Sequence, residues 1–186
     1  MPNHAPVDNQ NAGFLHKLVA FIDRLTGFTG HICAALMPVM VAVMFTVVVL
    51  RYGFGIGSIA LQESITYLHA WIFLVAMAYT LKADGQVRVD ILYRTFSPKN
   101  QAWVNAIGGL VLLLPLCVVL LATTIDYAAR SWAIGETSAE PGGIPLVYLL
   151  KSFLPLAAGL LTLQCLNEVL ANTLRLIDRP VTRLSA

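Results

Sequence analysis

The stretch HICAALMPVMVAVMFTVVVL, His31 to Leu50, contains no Asp, Glu, Lys or Arg. Its length matches the ~20 residues that a helix needs to cross ~30 Å of hydrocarbon. The full uncharged interval runs from Leu25 to Leu50, between Arg24 and Arg51. A cleavable signal has a shorter apolar core followed by a small-residue cleavage site, so this interval reads as a retained membrane span.

Outward from it, charges punctuate the rest of the chain in the same way. Ser64 to Leu81 lies between Glu63 and Lys82, and Asn100 to Ile125 lies between Lys99 and Asp126. A last interval, Leu146 to Asn167, is interrupted by Lys151. An ammonium at the bilayer centre costs a few kcal/mol, so Lys151 belongs near one end, where its stem can snorkel. Four spans are expected, at about residues 29–51, 63–82, 99–126 and 146–170. Of the 186 residues, 58% are hydrophobic and 12% charged, which a soluble fold cannot hide. The expected fold is an all-α membrane protein, a single membrane domain over 1–186.

Orientation follows from the distribution of Lys and Arg. Nine lie in the N-terminal segment (Lys17, Arg24), the middle loop (Lys82, Arg88, Arg94, Lys99) and the C-terminal tail (Arg175, Arg179, Arg183). Three lie in the other two loops: Arg51, Arg130 and Lys151. Both termini and the middle loop are therefore expected in the cytoplasm, with loops 51–63 and 126–151 facing outward. A net charge of +2 gives no broad basic surface for nucleic acid.

Residues 1–12 are polar and read as a flexible N-terminus. Phe14, Leu18, Phe21, Ile22 and Leu25 then recur at helical spacing, which predicts an amphipathic interfacial helix over 14–28. Asp84-Gly85 marks a turn, and Ser97-Pro98 reads as an N-cap with proline at the first helical position. The outer loop from Gly135 to Pro145 is dense in turn formers and is expected to have a fixed shape. Residues 171–186 read as a cytoplasmic tail.

Chemistry-bearing residues are sparse. Cys33, Cys117 and Cys165 stand singly in apolar stretches and read as small hydrophobes. His69 is well inside a span, either a relay or ligand group or a hydrogen-bonded interhelical histidine, and the second is favoured. His31 and His69 differ in expected depth by roughly 20 Å, too far to share a haem iron. Glu63, Asp126 and Glu168 stand at span ends, explained by capping, solvation or pairing. No HExxH, phosphate loop or Ser, His and Asp cluster is present, so no enzyme activity, metal or cofactor is expected. The interior of the bundle is expected to hold almost no polar groups.

The surroundings of the second span are less ordinary. Arg51 and Tyr52 end the first span, and Glu63, Tyr67, Trp71 and Leu74 share one face of the second by the i, i+4 rule. An aromatic stripe headed by a carboxylate reads either as aromatic filling or as a packing surface for another membrane protein. Arg51 and Glu63 are placed to pair across the outer turn.

These residues resemble the small integral-membrane subunit of tripartite ATP-independent periplasmic (TRAP) transporters. The likeness rests on Leu50-Arg51-Tyr52-Gly53-Phe54, Gln62-Glu63, Tyr67, Trp71, Ala78-Tyr79 and Gly85-Gln86-Val87-Arg88-Val89-Asp90. It continues through Gly135-Glu136-Thr137-Ser138, Gly143-Ile144-Pro145 and Pro155, covering about residues 15–175. Where that family commonly has Trp followed by two acidic residues, this chain has Ala60, Gln62 and Glu63; Gln86 and Ala76 replace a usual histidine and glycine.

The resemblance implies an inner-membrane partner of a large membrane subunit and a periplasmic substrate-binding protein. In such systems the large subunit carries the sodium and organic-acid sites, with substrates such as dicarboxylates or sialic acid, and the small one braces the scaffold. It marks Arg51, Tyr52, Glu63, Tyr67, Trp71, Tyr79 and Asp90 as interface or motif candidates, and Glu136 and Glu140 as candidate contacts for the binding protein. Two other readings stay open: a haem or electron-transfer membrane anchor, and a self-sufficient four-helix exporter.

Overall fold

The computed structural model describes residues 9–86, 93 and 95–177, with backbone alone at 9–14, 175 and 177. Among them are only helices: α1 (Asn9–Gly53), α2 (Ile59–Lys82), α3 (Pro98–Gly108), α4 (Leu114–Ile134) and α5 (Val147–Ile177). A wide turn, Gly109–Leu113, joins α3 to α4 without a break, so the two form one rod. The four resulting rods are each long and apolar enough to cross a membrane. The expected span ranges lie within these helices, except that α5 begins one residue after Leu146.

Local chemistry sets the helix ends. Gly55 takes the left-handed conformation after α1, which lets the Ile56 N–H donate to the Leu50 carbonyl at 2.9 Å and close the end. Ser58 caps α2 by accepting the Leu61 N–H, and Ser97 caps α3 by accepting the Asn100 N–H, with Pro98 at the first position as the sequence predicts. Gly135, also left-handed, ends α4. In the wide turn the Leu114 N–H reaches back five residues to the Gly109 carbonyl. Pro115 explains this turn: it has no N–H to give, and its ring would clash with the carbonyl four residues back.

The expected interfacial helix over 14–28 is not a separate element, because α1 runs unbroken from Asn9 to Gly53. Its helix also covers residues 9–12, and α5 covers 171–177, within the ranges read from sequence as a flexible N-terminus and a tail. Leu18, Phe21, Leu25 and Phe28 face outward, while Thr26, Gly30 and Cys33 are buried. Small and polar residues on that inner face let α2 and α5 come close, which an apolar-periodicity argument cannot see.

Helix α5 packs on every other described helix and is the spine of the bundle. Leu81, Cys117, Leu161 and Cys165 form one buried cluster; Cys33, Ile72 and Val75 form another, with Trp71 and Leu160 against it. At Gly30 a Cβ would come within 2.8 Å of Tyr79 Cε2 and closer still to Cγ and Cδ2. The Tyr79 ring therefore lies directly on the α1 backbone, a place only glycine allows.

Candidate functional site

Two polar clusters lie at opposite ends of the bundle. The first joins α2 to the loop 135–146. The Glu63 carboxylate accepts the Ser138 hydroxyl on one oxygen and the Ile144 N–H, at 2.5 Å, on the other. The Ser138 hydroxyl oxygen also accepts the Glu140 N–H at 3.2 Å. A Cβ at Gly143 would stand 2.7 Å from Glu63 Oε1, so glycine is needed where the carboxylate closes over the chain. The loop thus has the fixed shape its composition suggests, and one carboxylate from another helix enforces it.

Beside this latch, Lys151 donates to Glu136 at 2.5 Å and lies 4.3 Å from the centre of the Tyr127 ring. The hydrogen bond from the Lys151 ammonium holds the Glu136 carboxyl below the usual carboxylate range. The loop therefore places an anionic partner beside Lys151, which the expectation of snorkelling alone did not include. Trp132 donates through Nε1 to Ser152 Oγ at 2.7 Å, and its ring packs on Tyr148 at 4.5 Å. Glu140 is exposed at the loop surface.

The other candidates are spread more widely. Arg51 and Tyr52 are exposed at the end of α1, and Tyr52 is 81% exposed. The expected Arg51–Glu63 pair is not formed: Arg51 is exposed, and the Glu63 carboxylate turns to the loop instead. The Glu63, Tyr67, Trp71 stripe turns inward: Trp71 meets Phe153 of α5 edge to face at 5.1 Å. Tyr67 Oη and Trp71 Nε1 are buried with no hydrogen-bond partner. Its neighbours are therefore the loop and α5 of the same chain. His69 is exposed and stacks on Phe73 at 6.1 Å, in place of the expected interhelical hydrogen bond. His31 accepts no such role either, since its Nδ1 meets the Gly27 carbonyl of its own helix at 2.7 Å. Asp90 lies outside the described residues.

The second cluster was missed by the sequence reading. Thr26 of α1 donates to Gln164 of α5 at 2.9 Å, and Asn167 donates to Asp23 at 2.8 Å. Lys82 of α2 reaches the Asp23 carbonyl. Gln164 is 0% exposed, and Thr26, Asn167 and Asn172 are each 2% exposed. The expectation of an interior nearly free of polar groups is therefore wrong. A signal existed: Gln164, Asn167, Glu168 and Asn172 fall on one helical face, a polar stripe along an otherwise apolar helix. The Thr26–Gln164 bond lies in a low-dielectric interior, where breaking it strands a desolvated partner, while the two bonds to Asp23 are only partly buried.

The sequence profile of the tripartite ATP-independent periplasmic transporters, DctQ component, matches residues 40–175. A Haemophilus influenzae protein named as a TRAP transporter small permease is 25% identical over 165 residues, covering 89% of this chain and 97% of that one. No solved structure matches the chain. The matched region includes the Glu63 latch, the 135–146 loop and nearly all of α5, the parts that give the bundle its shape. The chain belongs to the DctQ component family of TRAP transporters, and is a small permease subunit with four membrane-spanning helical rods.

Proposed function

We propose that this subunit is a static brace for the large membrane subunit of a sodium-coupled, binding-protein-dependent importer of an organic acid. One observation supports the reading best. The buried polar side chains tie the helices of this chain to one another, as in Thr26–Gln164, Asp23–Asn167 and the Glu63 latch. Meanwhile the outward faces are apolar: Met37, Val41, Phe45 and Val48 on α1, and Val111, Leu112 and Val119 along the α3–α4 rod, are all exposed. A rigid body with greasy flanks suits the role of widening an immobile scaffold against which a transport domain moves.

In this proposal the subunit sits in the bacterial inner membrane with both termini in the cytoplasm. The Glu63 latch then lies on the periplasmic side and presents Glu136 and Glu140 toward the binding protein, while Arg51 and Tyr52 form the adjoining rim. Affinity purification of the tagged chain from its native membrane tests the assembly. A much larger hydrophobic partner in fixed ratio supports it; a homo-oligomer alone, or a haem absorbance, overturns it in favour of an exporter or an electron-transfer anchor.

A further inference from the structure

Helix α2 is the least apolar of the four rods, with a mean hydropathy of 1.4 against 2.6 for α1 and for the α3–α4 rod, and part of its polarity is turned outward. Thr66, His69 and Phe73 are all exposed and share one face at i, i+3 and i+7, away from the contacts that α2 makes with α1 and α5. His69 stands between the ends Ile59 and Lys82, about 15 Å from the first and about 20 Å from the second at 1.5 Å per residue. With ~30 Å of hydrocarbon to cross, that is close to the middle of a bilayer.

Neither polar group has a hydrogen-bond partner in its own chain. Thr46, Thr80, Thr123, Thr124 and Thr162 each turn the hydroxyl back onto the carbonyl four residues earlier. The Thr66 hydroxyl makes no hydrogen bond among the described residues, and the His69 imidazole meets only the Phe73 ring, itself exposed, with the planes 12° apart. Acyl chains offer neither donor nor acceptor, so polar groups at this depth pair with other protein groups or line water.

We infer that the Thr66, His69 and Phe73 face of α2 is the surface on which the large membrane subunit docks, and that the docking helix brings a hydrogen-bonding side chain to the depth of His69. This rests on the bracing role proposed above and adds the face through which it acts. A neutral imidazole offers one N–H and one acceptor nitrogen, and the hydroxyl three residues away both donates and accepts, a set that suits an amide or hydroxyl side chain. Phe73 beside it supplies apolar contact. By contrast, Phe45 on α1 and Val119 on the α3–α4 rod stand among other exposed apolar residues, which lipid satisfies. A second copy of this chain fits the face less well: a two-fold contact there sets His69 against His69, where two imidazoles share one hydrogen bond and each keeps a ring nitrogen unsatisfied.

The full chain, co-expressed with an affinity-tagged large subunit, tests the inference in two ways. First, a photo-crosslinking benzoylphenylalanine replaces His69, Phe73 or Val119 in turn; Val119 lies on the rod that packs chiefly on α5. Adducts containing the tagged subunit are expected from positions 69 and 73 and not from 119. Second, His69→Leu should weaken association of the two subunits in detergent about threefold to tenfold, the range of a hydrogen bond between membrane helices, while the melting temperature of the isolated chain stays level or rises. Several results overturn the inference: adducts with the large subunit from 119 but not from 69, adducts from 69 joining two copies of this chain, or unchanged association in His69→Leu. A lower melting temperature of the isolated variant also overturns it, by placing the partner of His69 in its own chain. Failure of the wild-type subunits to copurify overturns the bracing role itself, and this inference with it.

Discussion

The carboxylate of Glu63 accepts the backbone N–H of Ile144 at 2.5 Å, joining residues 81 positions apart. With the Ser138 hydroxyl on its other oxygen, this single side chain fixes the 135–146 loop to α2. The loop's position is thus held from outside as well as by its own turns.

Glu63→Ala removes both acceptors at once. Hydrogen bonds to a charged group contribute about 1.5–3 kcal/mol, and ~1.4 kcal/mol is a tenfold change in an equilibrium. Limited proteolysis within 135–146 should therefore accelerate at least about tenfold. An unchanged cleavage rate would show that the turns alone hold the loop.

Gly30→Ala puts a methyl group into the Tyr79 ring. Overpacking of this kind costs ~1–3 kcal/mol, and the loss should be largely recovered by adding Tyr79→Ala. Melting temperatures of the two single variants and the double variant in detergent measure the coupling. Purely additive effects would mean that the two residues do not touch.

The Thr26–Gln164 pair makes an asymmetric prediction. Gln164→Leu alone strands a buried hydroxyl and should cost about 1–3 kcal/mol, whereas Thr26→Val with Gln164→Leu should be much milder. A double variant as unstable as the single one would contradict a role limited to that hydrogen bond.

Glu136 has a carboxyl held below its ordinary value by the Lys151 ammonium. Its contribution to stability is present above the unfolded-state carboxylate pKa and is lost as pH falls through the depressed folded value. Acidification across that window should lower the melting temperature of the wild type more than that of Glu136→Gln. Parallel pH profiles would show that the pair contributes nothing.

The spans were legible in the sequence because the thickness of hydrocarbon fixes how long an uncharged interval must be, and the Ser97-Pro98 start of α3 was legible because capping is local. The Thr26, Gln164 and Asn167 cluster was not, since punctuation by charge passes over uncharged amides and hydroxyls. The Glu63, Tyr67, Trp71 stripe shows a different limit. Periodicity says which residues share a face, while the identity of the neighbour, here α5 and the 135–146 loop, depends on how the helices fold back. The inner face of α1 was misjudged for a related reason: close packing through Gly30 and Thr26 outweighed the apolar stripe of Leu18, Phe21 and Leu25.

Reconstitution into liposomes tests the bracing role most directly. Under an inward sodium gradient, with the binding protein and a labelled organic acid outside, the chain alone should accumulate nothing, and uptake should require the large subunit together with this one. Accumulation by this chain alone, or full-rate uptake by the large subunit without it, would contradict that role.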